Sequence, residues 1–357
     1  MLFQTLDDKN ECVAVYINNE LKFKEVPKEA SKTWEYSQFL KGMDIEYANI
    51  YCQGKTLDEA CPEHLKKDWD NVKSKLKAFI RSFVESKVSM RDNCFFELTP
   101  KKFLIEYCKI KNQITEHIFQ TYSRPQEYDF YRDMTEFLSE IKYKRLNVDS
   151  DVFKQNIQDP ESLKLYRKYK DLSPYINYNL FGTITGRLSN DGFPILRFDK
   201  KHRHVLKPNN DYFVEIDINA AELRMALALS GKEQPTEDLY KIINETAFDN
   251  ELTRKETKDR TIKWLYSESE EYTDELKHLF DKELLLNKYY KGDHIITPYG
   301  RRIEAPERNA INYLMQSTFI DLFHRQVLKI NKLLSGRDTY IPFLIHDCFY
   351  LDLKRED

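Results

Sequence analysis

The sequence is poor in several features that mark large classes of protein. Glycine occurs only 9 times in 357 residues, which excludes long flexible linkers. No apolar run is long enough to cross a membrane, and no targeting segment, internal repeat or low-complexity stretch is visible. We therefore expect a cytoplasmic protein with no membrane partner, built from packed helices and strands.

Cysteine pairing and excess positive charge are also missing. The six cysteines form no C-x-x-C pair and have no histidines at zinc-binding spacing, so we interpret them as reduced thiols. The formal net charge is −3, which argues against a small DNA-wrapping protein. A basic cleft on an acidic surface still fits this total, because metal-binding carboxylates subtract from the sum.

The residues that are abundant predict a packed core and several domains. Hydrophobic residues make up 41% and charged residues 32% of a chain long enough for two or three domains. Short apolar segments on either side of Asn18 and Asn19 predict a hairpin within residues 11–24. Apolar residues at helical spacing predict an amphipathic helix over residues 76–84.

Two segments with the composition of strands each carry an aspartate. The first runs from Tyr212 to Asp217, and the second from Ile341 to Asp347 and on to Leu351. If the two strands are neighbours, Asp217 and Asp347 meet at the surface of one sheet. Two such carboxylates can hold a pair of Mg²⁺ ions. Either aspartate alone can equally well end an ordinary strand.

A cationic stripe lies between these segments. Arg254, Lys258, Ile262 and Tyr266 recur at every fourth residue, so they share one slowly winding face of a helix. Such a face can lay its cations along a triphosphate and leave the tyrosine near a base. An ordinary solvated face is the alternative, because charged residues occur throughout this segment.

Two further groups of polar residues fit contact with nucleic acid. Arg308, Asn312 and Gln316 form a second row at helical spacing, able to donate to minor-groove acceptors or simply to face solvent. A basic cluster before the first strand suits phosphate contact, or an ordinary solvated loop. This cluster comprises Lys200, Lys201, His202, Arg203 and Lys207.

The order of these pieces is more specific than any single piece, and it resembles the signature of family A (polymerase I-like) DNA polymerases. The matches in chain order are TGRLS at 185–189, D-x4-E-L-R at 217–224, R-x3-K-x3-I-x3-Y at 254–266, YGRR at 299–302, R-x3-N-x3-Q at 308–316 and HD at 346–347. The resemblance covers about residues 180–353. It implies an α+β, right-hand polymerase with an antiparallel palm sheet, helical fingers and a reduced thumb, plus a small N-terminal α/β domain.

The resemblance predicts three regions. Residues 1–122 would be an accessory or degenerate exonuclease-like domain, 123–179 a reduced thumb or connector, and 180–357 the palm and fingers. The early D-x-E at Asp44 and Glu46 is the only candidate start of an exonuclease site, with Asp129 and Asp133 later. We expect no active proofreading, because no convincing companions to these carboxylates are evident.

The resemblance also implies a role for each matched residue. Asp217 and Asp347 would ligate the metal ions, with the carbonyl of Ile218 assisting. Arg254 and Lys258 would grip the incoming triphosphate, and Lys258 would protonate the departing pyrophosphate.

The remaining matched residues would contact the nucleotide or the DNA. Glu222 would exclude a ribose 2′-OH, and Tyr266 would stand near the templating position. Ile262 would also contact the nucleotide, at a position where the family usually has an aromatic residue. Six residues would contact the DNA: Arg187, Arg203, Arg308, Asn312, Gln316 and His346. Of these, Arg203 belongs to the basic cluster.

The implied activity is transfer of deoxynucleotides to a primer 3′-OH with release of pyrophosphate, in DNA replication. The partners would be primer–template DNA, deoxynucleoside triphosphates and two Mg²⁺ ions, for which Mn²⁺ can substitute. The compact size suggests a phage-type enzyme acting in the host cytoplasm, with a processivity factor as a further candidate partner. The alternatives are a catalytically incomplete, nucleic-acid-binding half of a split polymerase and a single-subunit RNA polymerase relative.

Several departures from the family pattern bear on these expectations. Ser267 replaces a glycine and Cys348 an acidic residue, and the segment from 267 to 296 is shorter than usual. The sequence stops at Asp357, soon after the second aspartate-bearing segment. We therefore expect either a truncated reading frame or a missing C-terminal fragment supplied as a separate chain.

Overall fold

The chain folds into two compact units, Met1–Tyr143 and Lys144–Asp357. The structure is a computed structural model that describes residues 1–8, 12–90, 92–149, 151–152, 159–170, 172–267 and 276–357. Part of the segment predicted to be shortened, 267–296, lies outside these residues. Within them, no helix is both long and apolar enough to cross a membrane.

The first unit combines short strands with longer helices. Its strands are β1 (Gln4–Leu6), β2 (Ala14–Ile17), β3 (Glu20–Phe23), β4 (Lys32–Thr33) and β5 (Glu46–Tyr47). Its helices are α1 (Ala48–Tyr51), α2 (Leu57–Ala60), α3 (Lys66–Glu85), α4 (Phe95–Leu98), α5 (Lys101–Thr121) and α6 (Tyr128–Tyr143). Strands β1, β2 and β3 form an antiparallel sheet in that order, and β4 pairs with β5 in parallel. Helix α6 therefore belongs to this unit, while the predicted thumb at 123–179 stays a prediction.

The predicted hairpin is confirmed in β2 and β3. Asn18 and Asn19 form its two-residue turn with φ of 53° and 63°. Both values lie in the left-handed region that asparagine tolerates better than most residues, and that a type I′ turn requires. The turn sets the register in which Ile17 faces Glu20.

The helix predicted over residues 76–84 is confirmed as the second half of α3. Trp69 and Val72 are buried near its start. Toward its end, Ile80 and Val84 are 47% and 64% exposed. The apolar spacing therefore identified the helix correctly, but the core beneath it does not extend to the last turns.

The second unit holds both aspartate-bearing segments. Its strands are β6 (Asn147–Val148), β7 (Ile176–Asn179), β8 (Ser189–Gly192), β9 (Leu206–Lys207), β10 (Tyr212–Asp217), β11 (His294–Ile296), β12 (Arg302–Glu304), β13 (Leu344–Ile345) and β14 (Cys348–Leu353). Its helices are α7 (Pro160–Tyr169), α8 (Ala221–Leu229), α9 (Leu239–Ala247), α10 (Arg254–Tyr266), α11 (Lys282–Tyr289) and α12 (Glu307–Leu333).

In the second unit, β10, β14 and β13 form a three-stranded antiparallel sheet in that order. It confirms that the two aspartate-bearing segments are neighbours. On one face of the sheet, Phe213 of β10 packs against Phe343 at a ring-centroid distance of 5.6 Å. On the other face, Val214 and Ile216 are 36% and 37% exposed. Phe213 is therefore the one half-buried residue of β10, and the other five residues of the strand are exposed.

Local signals fix the two helices that carry the polar stripes. Helix α10 begins at Arg254 because Thr253 and Glu256 form a reciprocal capping box. Helix α12 buries Ile311, Leu314 and Met315. The Arg308 row of α12 consequently faces outward or lies half-buried.

Candidate active site

The sheet brings Asp217 and Asp347 to the same end. Asp217 is the last residue of β10 and stands opposite Cys348, the first residue of β14. Asp347 immediately precedes that residue, in the two-residue turn between β13 and β14. The other turn residue, His346, has φ of 50°, an uncommon conformation outside glycine that costs of order 1 kcal/mol. The strained turn places Asp347 at the tip of the hairpin.

The two carboxylates lie in an environment that favours a bound cation. Oδ1 of Asp347 is buried and makes no hydrogen bond within the described part of the chain. Burial raises the pKa of Asp217, and the negative charges of Asp347 and Glu215 raise it further. A buried carboxylate oxygen without a donor, beside a second carboxylate, fits hard divalent cations such as Mg²⁺.

The aspartates line a cleft of about 550 Å³. Residues 217–222 contribute one wall, and α9, α10 and the β13–β14 turn contribute the others. The lining residues are Asp217, Ile218, Asn219, Ala220, Ala221, Glu222, Tyr240, Arg254, Lys258, Ile262 and Asp347. Both predicted metal-binding aspartates and both predicted triphosphate-binding cations therefore share one cavity.

Helix α10 presents its stripe to this cleft. Arg254, Lys258 and Ile262 lie one turn apart along the lining. Tyr266, one turn further, has a buried hydroxyl whose pKa is raised by burial and by the Glu222 carboxylate. Trp264 is buried on the same helix, and its packing fixes which face of α10 turns toward the cleft.

Arg254 is held by a carboxylate at the rim. Its Nε donates to Oδ2 of Asp238 at 2.6 Å, and its guanidinium lies 5.1 Å from the ring centre of Tyr240. Asp238 also caps the start of α9, because its side chain accepts from the backbone N–H of Tyr240. Sequence reasoning missed both Asp238 and Tyr240, and the only available signal was an acidic residue at a helix start.

Arg187 lies between two acidic residues of the site, Glu222 and Asp347. Its Nη2 donates to Oε1 of Glu222 at 3.4 Å and lies 3.8 Å from Oδ1 of Asp347. Glu222 lies in the first turn of α8, and this helix begins directly after Ala220, which has a left-handed backbone. A single guanidinium thus lies between the predicted sugar gate and one predicted metal ligand.

The other predicted DNA contacts do not line the cleft within the described residues. Arg203 Nη1 donates to the Tyr350 hydroxyl at 3.2 Å, and His346 Nε2 lies 3.0 Å from the Leu196 carbonyl oxygen. On α12, Arg308 is exposed, whereas Asn312 and Gln316 are half-buried. Their predicted contact with DNA stays a prediction.

Carboxylates in the first unit lie in a different setting. A smaller cleft of about 270 Å³ is lined by Ser31, Lys32, Asp44, Ile45, Glu46, Arg124, Tyr128 and Arg132. Glu46 lies 3.6 Å from Lys32 and accepts from the Tyr51 hydroxyl at 2.7 Å. Asp129 pairs with Arg124 at 3.1 Å. In the described residues of the whole chain, no group of three or more His, Cys, Asp or Glu side chains is arranged to hold a metal ion.

The fold is similar to that of a known polymerase domain. The chain resembles the POL domain of Pol1 from M. smegmatis, solved in complex with DNA primer-template and dNTP. The TM-score is 0.53 at 13% sequence identity, over 72% of this chain and 70% of that chain. At this identity the likeness shows the fold alone. No protein-family model matches the sequence, and no curated protein matches it.

Proposed function

We propose that the chain is a template-directed DNA polymerase of family A, of compact phage type, that extends a primer 3′-OH during DNA replication and releases pyrophosphate. The observation that carries this proposal is a single cleft lined by Asp217, Asp347, Arg254 and Lys258. Carboxylates that can bind divalent cations and a helix that offers two cations are the parts that nucleotidyl transfer needs. The polymerase-domain fold supports the same assignment.

The metal ligands in this proposal are Asp217, Asp347 and the carbonyl of Ile218. They would hold two Mg²⁺ ions, with Mn²⁺ as a substitute. When bound, such ions stabilise the negative charge on the attacking and leaving oxygens. Within the described residues, Oδ1 of Asp347 accepts no hydrogen bond, although Arg187 lies 3.8 Å away. This unused acceptor and the raised pKa of Asp217 support the role, because both favour a positive charge between the carboxylates.

Helix α10 would bind the nucleotide. Arg254 and Lys258 would contact the triphosphate, and Lys258 would give its proton to the departing pyrophosphate. Arg254 would exchange its present partner, Asp238, for phosphate oxygens. Ile262 would contact the base or sugar through apolar surface alone, with Tyr266 at the end of the same stripe.

Glu222 would select deoxyribose over ribose. Its carboxylate lies in the cleft and is held by Arg187 at 3.4 Å, so it can occupy the space that a 2′-OH would need. This assignment favours a DNA polymerase over a single-subunit RNA polymerase. In Glu222→Ala we expect the preference for deoxynucleotides to fall by about tenfold or more, which corresponds to roughly 1.4 kcal/mol. Competing dNTP and NTP incorporation measures it, and an unchanged ratio would remove Glu222 from this role.

The DNA-binding assignments extend beyond the cleft. Arg187 would contact the primer end, and Arg203 and His346 would contact the nucleic acid near the sheet. The row on α12, formed by Arg308, Asn312 and Gln316, would monitor newly formed base pairs from the minor groove.

Primer extension with Mg²⁺ tests the proposal. The wild-type chain should add only the deoxynucleotide complementary to the template, with release of pyrophosphate. Asp217→Ala and Asp347→Ala should bind primer–template but not extend it. Full-rate extension by either variant would show that the metal assignment is wrong. Tight binding of primer–template by the wild-type chain without any extension would instead support the non-catalytic, split-enzyme alternative.

A further inference from the structure

A buried ion pair lies on the far side of the turn that carries Arg187. Arg301 precedes β12 and Asp321 lies within α12, and their side chains are only 17% and 3% exposed. Arg301 donates twice to the same carboxylate, from Nε to Oδ2 at 3.2 Å and from Nη2 to Oδ1 at 2.5 Å. Two parallel bonds fix the plane of the guanidinium as well as its position.

The same guanidinium lies close to Gly186. A methyl group added at Gly186 would stand 2.6 Å from Nη1 and 2.9 Å from Cζ of Arg301. Gly186 also has φ of +81°, which favours glycine for a separate reason. The close approach of Arg301 therefore depends on the missing side chain, and it supports the turn directly before Arg187.

The turn itself is closed by local hydrogen bonds. The Gly186 N–H donates to the Thr183 carbonyl at 3.2 Å, and the Thr183 hydroxyl donates to the Arg187 carbonyl at 2.7 Å. A rigid turn transmits the position of its glycine to the next residue. Arg187 in turn reaches Glu222 and Asp347 inside the candidate active site.

We propose that Arg301, oriented by Asp321, is a positioning residue that sets Arg187 between Glu222 and Asp347. Its catalytic consequence rests on the function proposed above. Lysine cannot replace Arg301, because an ammonium group has no planar fork that binds both oxygens of one carboxylate and so cannot hold a fixed position beside Gly186.

The test compares Arg301→Lys with Arg302→Lys, because the neighbouring Arg302 side chain is 60% exposed and lies 4.0 Å from Asp293. Deoxynucleotide incorporation should slow by up to about 10²-fold in Arg301→Lys, the typical cost of a misplaced catalytic group, and should not change in Arg302→Lys. The defect should appear mainly in kcat, with weaker discrimination against ribonucleotides, because Glu222 loses its partner. Combining Arg301→Lys with Arg187→Lys should cost no more than the larger single effect.

A second measurement needs no catalysis. Amide hydrogen exchange in a peptide spanning residues 183–189 of the ligand-free chain should quicken several-fold in Arg301→Lys, and not in Arg302→Lys. If Arg301→Lys does not fold, Asp321→Asn removes the carboxylate that orients Arg301 and leaves the Gly186 backbone unchanged, so it should give the same exchange and kinetic defects.

The possible outcomes separate this inference from the proposed function. Unchanged exchange in Arg301→Lys, or rate losses that add fully with Arg187→Lys, would overturn the positioning role. If the wild-type chain does not extend primers, the proposed function fails, and the exchange result alone decides whether Arg301 supports the turn.

Discussion

The clefts of the two units are both lined by carboxylates and cations, but they combine these charges differently. In the first unit, Glu46 lies near Lys32, and Asp129 pairs with Arg124. In the second unit, Oδ1 of Asp347 has Arg187 3.8 Å away but accepts no hydrogen bond within the described residues, and the pKa of Asp217 is raised by burial and by the charges of Asp347 and Glu215. Locally compensated charges are typical of a structural ion-pair network. Neighbouring like charges cost stability and are typical of sites where a ligand supplies the compensation.

The largest expected difference between the clefts is catalytic. In Asp217→Asn and Asp347→Asn, incorporation should fall by about 10³-fold or more, because each variant removes a proposed ligand of the ions that would stabilise the transition state. Single-turnover primer extension measures this loss. The thermal midpoint should not fall in Asp217→Asn, because that change removes one of two neighbouring negative charges.

The matched control is Glu46→Gln in the first cleft. It changes the same chemical group in a setting where cations already compensate it, so primer extension should proceed at the wild-type rate. A loss in Glu46→Gln comparable to that in Asp217→Asn would erase the distinction between the two clefts.

The next largest effect concerns the cations of α10. Lys258→Ala should reduce kcat/KM for deoxynucleotides by roughly 10²-fold, because the proposed charge-assisted contact to the triphosphate would be lost. Lys255→Ala, an exposed residue of the same helix outside the cleft lining, should have little effect. Steady-state kinetics compares the two variants. Equal losses would mean that the helix acts through its total charge and not through one face.

A smaller effect should appear in the stability of the first unit. The Lys111 side chain is 5% exposed, and its ammonium lies 3.0 Å from Oε1 of Glu35. Burial alone would lower the pKa of Lys111, but the Glu35 carboxylate outweighs burial and raises it. Glu35→Gln leaves this buried ammonium uncompensated, so the free energy of unfolding should fall by roughly 1–3 kcal/mol. Denaturant titration measures this loss of stability, and primer extension should be unaffected. An unchanged denaturation midpoint would show that solvent already compensates the charge of Lys111.

The smallest effect concerns pH and the second unit. Burial and the nearby Arg301 lower the pKa of His324 from 6.5 to about 3. Below pH 6.5 the unfolded chain takes up a proton that native His324 does not take up, so the free energy of unfolding decreases as the pH falls. At pH 5.5 this decrease is about 1.4 kcal/mol relative to a pH well above 6.5. The stability of His324→Gln should therefore fall less between pH 6.5 and 5.5 than that of the wild type, by about 1 kcal/mol, because the wild type already carries part of the penalty at pH 6.5. Parallel stability–pH curves would show that His324 titrates normally in the folded chain.

Local sequence signals were sufficient for several elements of the fold. The Asn18-Asn19 turn and the strand at Tyr212–Asp217, predicted from its aromatic and β-branched residues, each depend on residues close together in the chain. The i, i+4 spacing also predicted correctly that Arg254, Lys258 and Ile262 share a face. The shared location of Asp217 and Asp347 needed one further assumption, that their strands pair.

The contacts that sequence reasoning missed join residues distant in the chain. Arg254 meets Asp238 across 16 positions, and Arg301 meets Asp321 across 20. Gly186 meets Arg301 across a still longer separation, and no spacing rule predicts such a contact. The partial exposure of α3 likewise depends on where the core ends, which the helical period of its apolar residues does not specify.

The most direct test of the central claim is to count the divalent cations that Asp217 and Asp347 hold together. Mn²⁺ binding can be followed by electron paramagnetic resonance on the full chain, with a dNTP and a dideoxy-terminated primer–template present. We predict about two ions per wild-type chain, as in other two-metal sites. We predict fewer in Asp217→Asn and in Asp347→Asn, and no change in Glu46→Gln. Wild-type stoichiometry and affinity in either aspartate variant would contradict the claim.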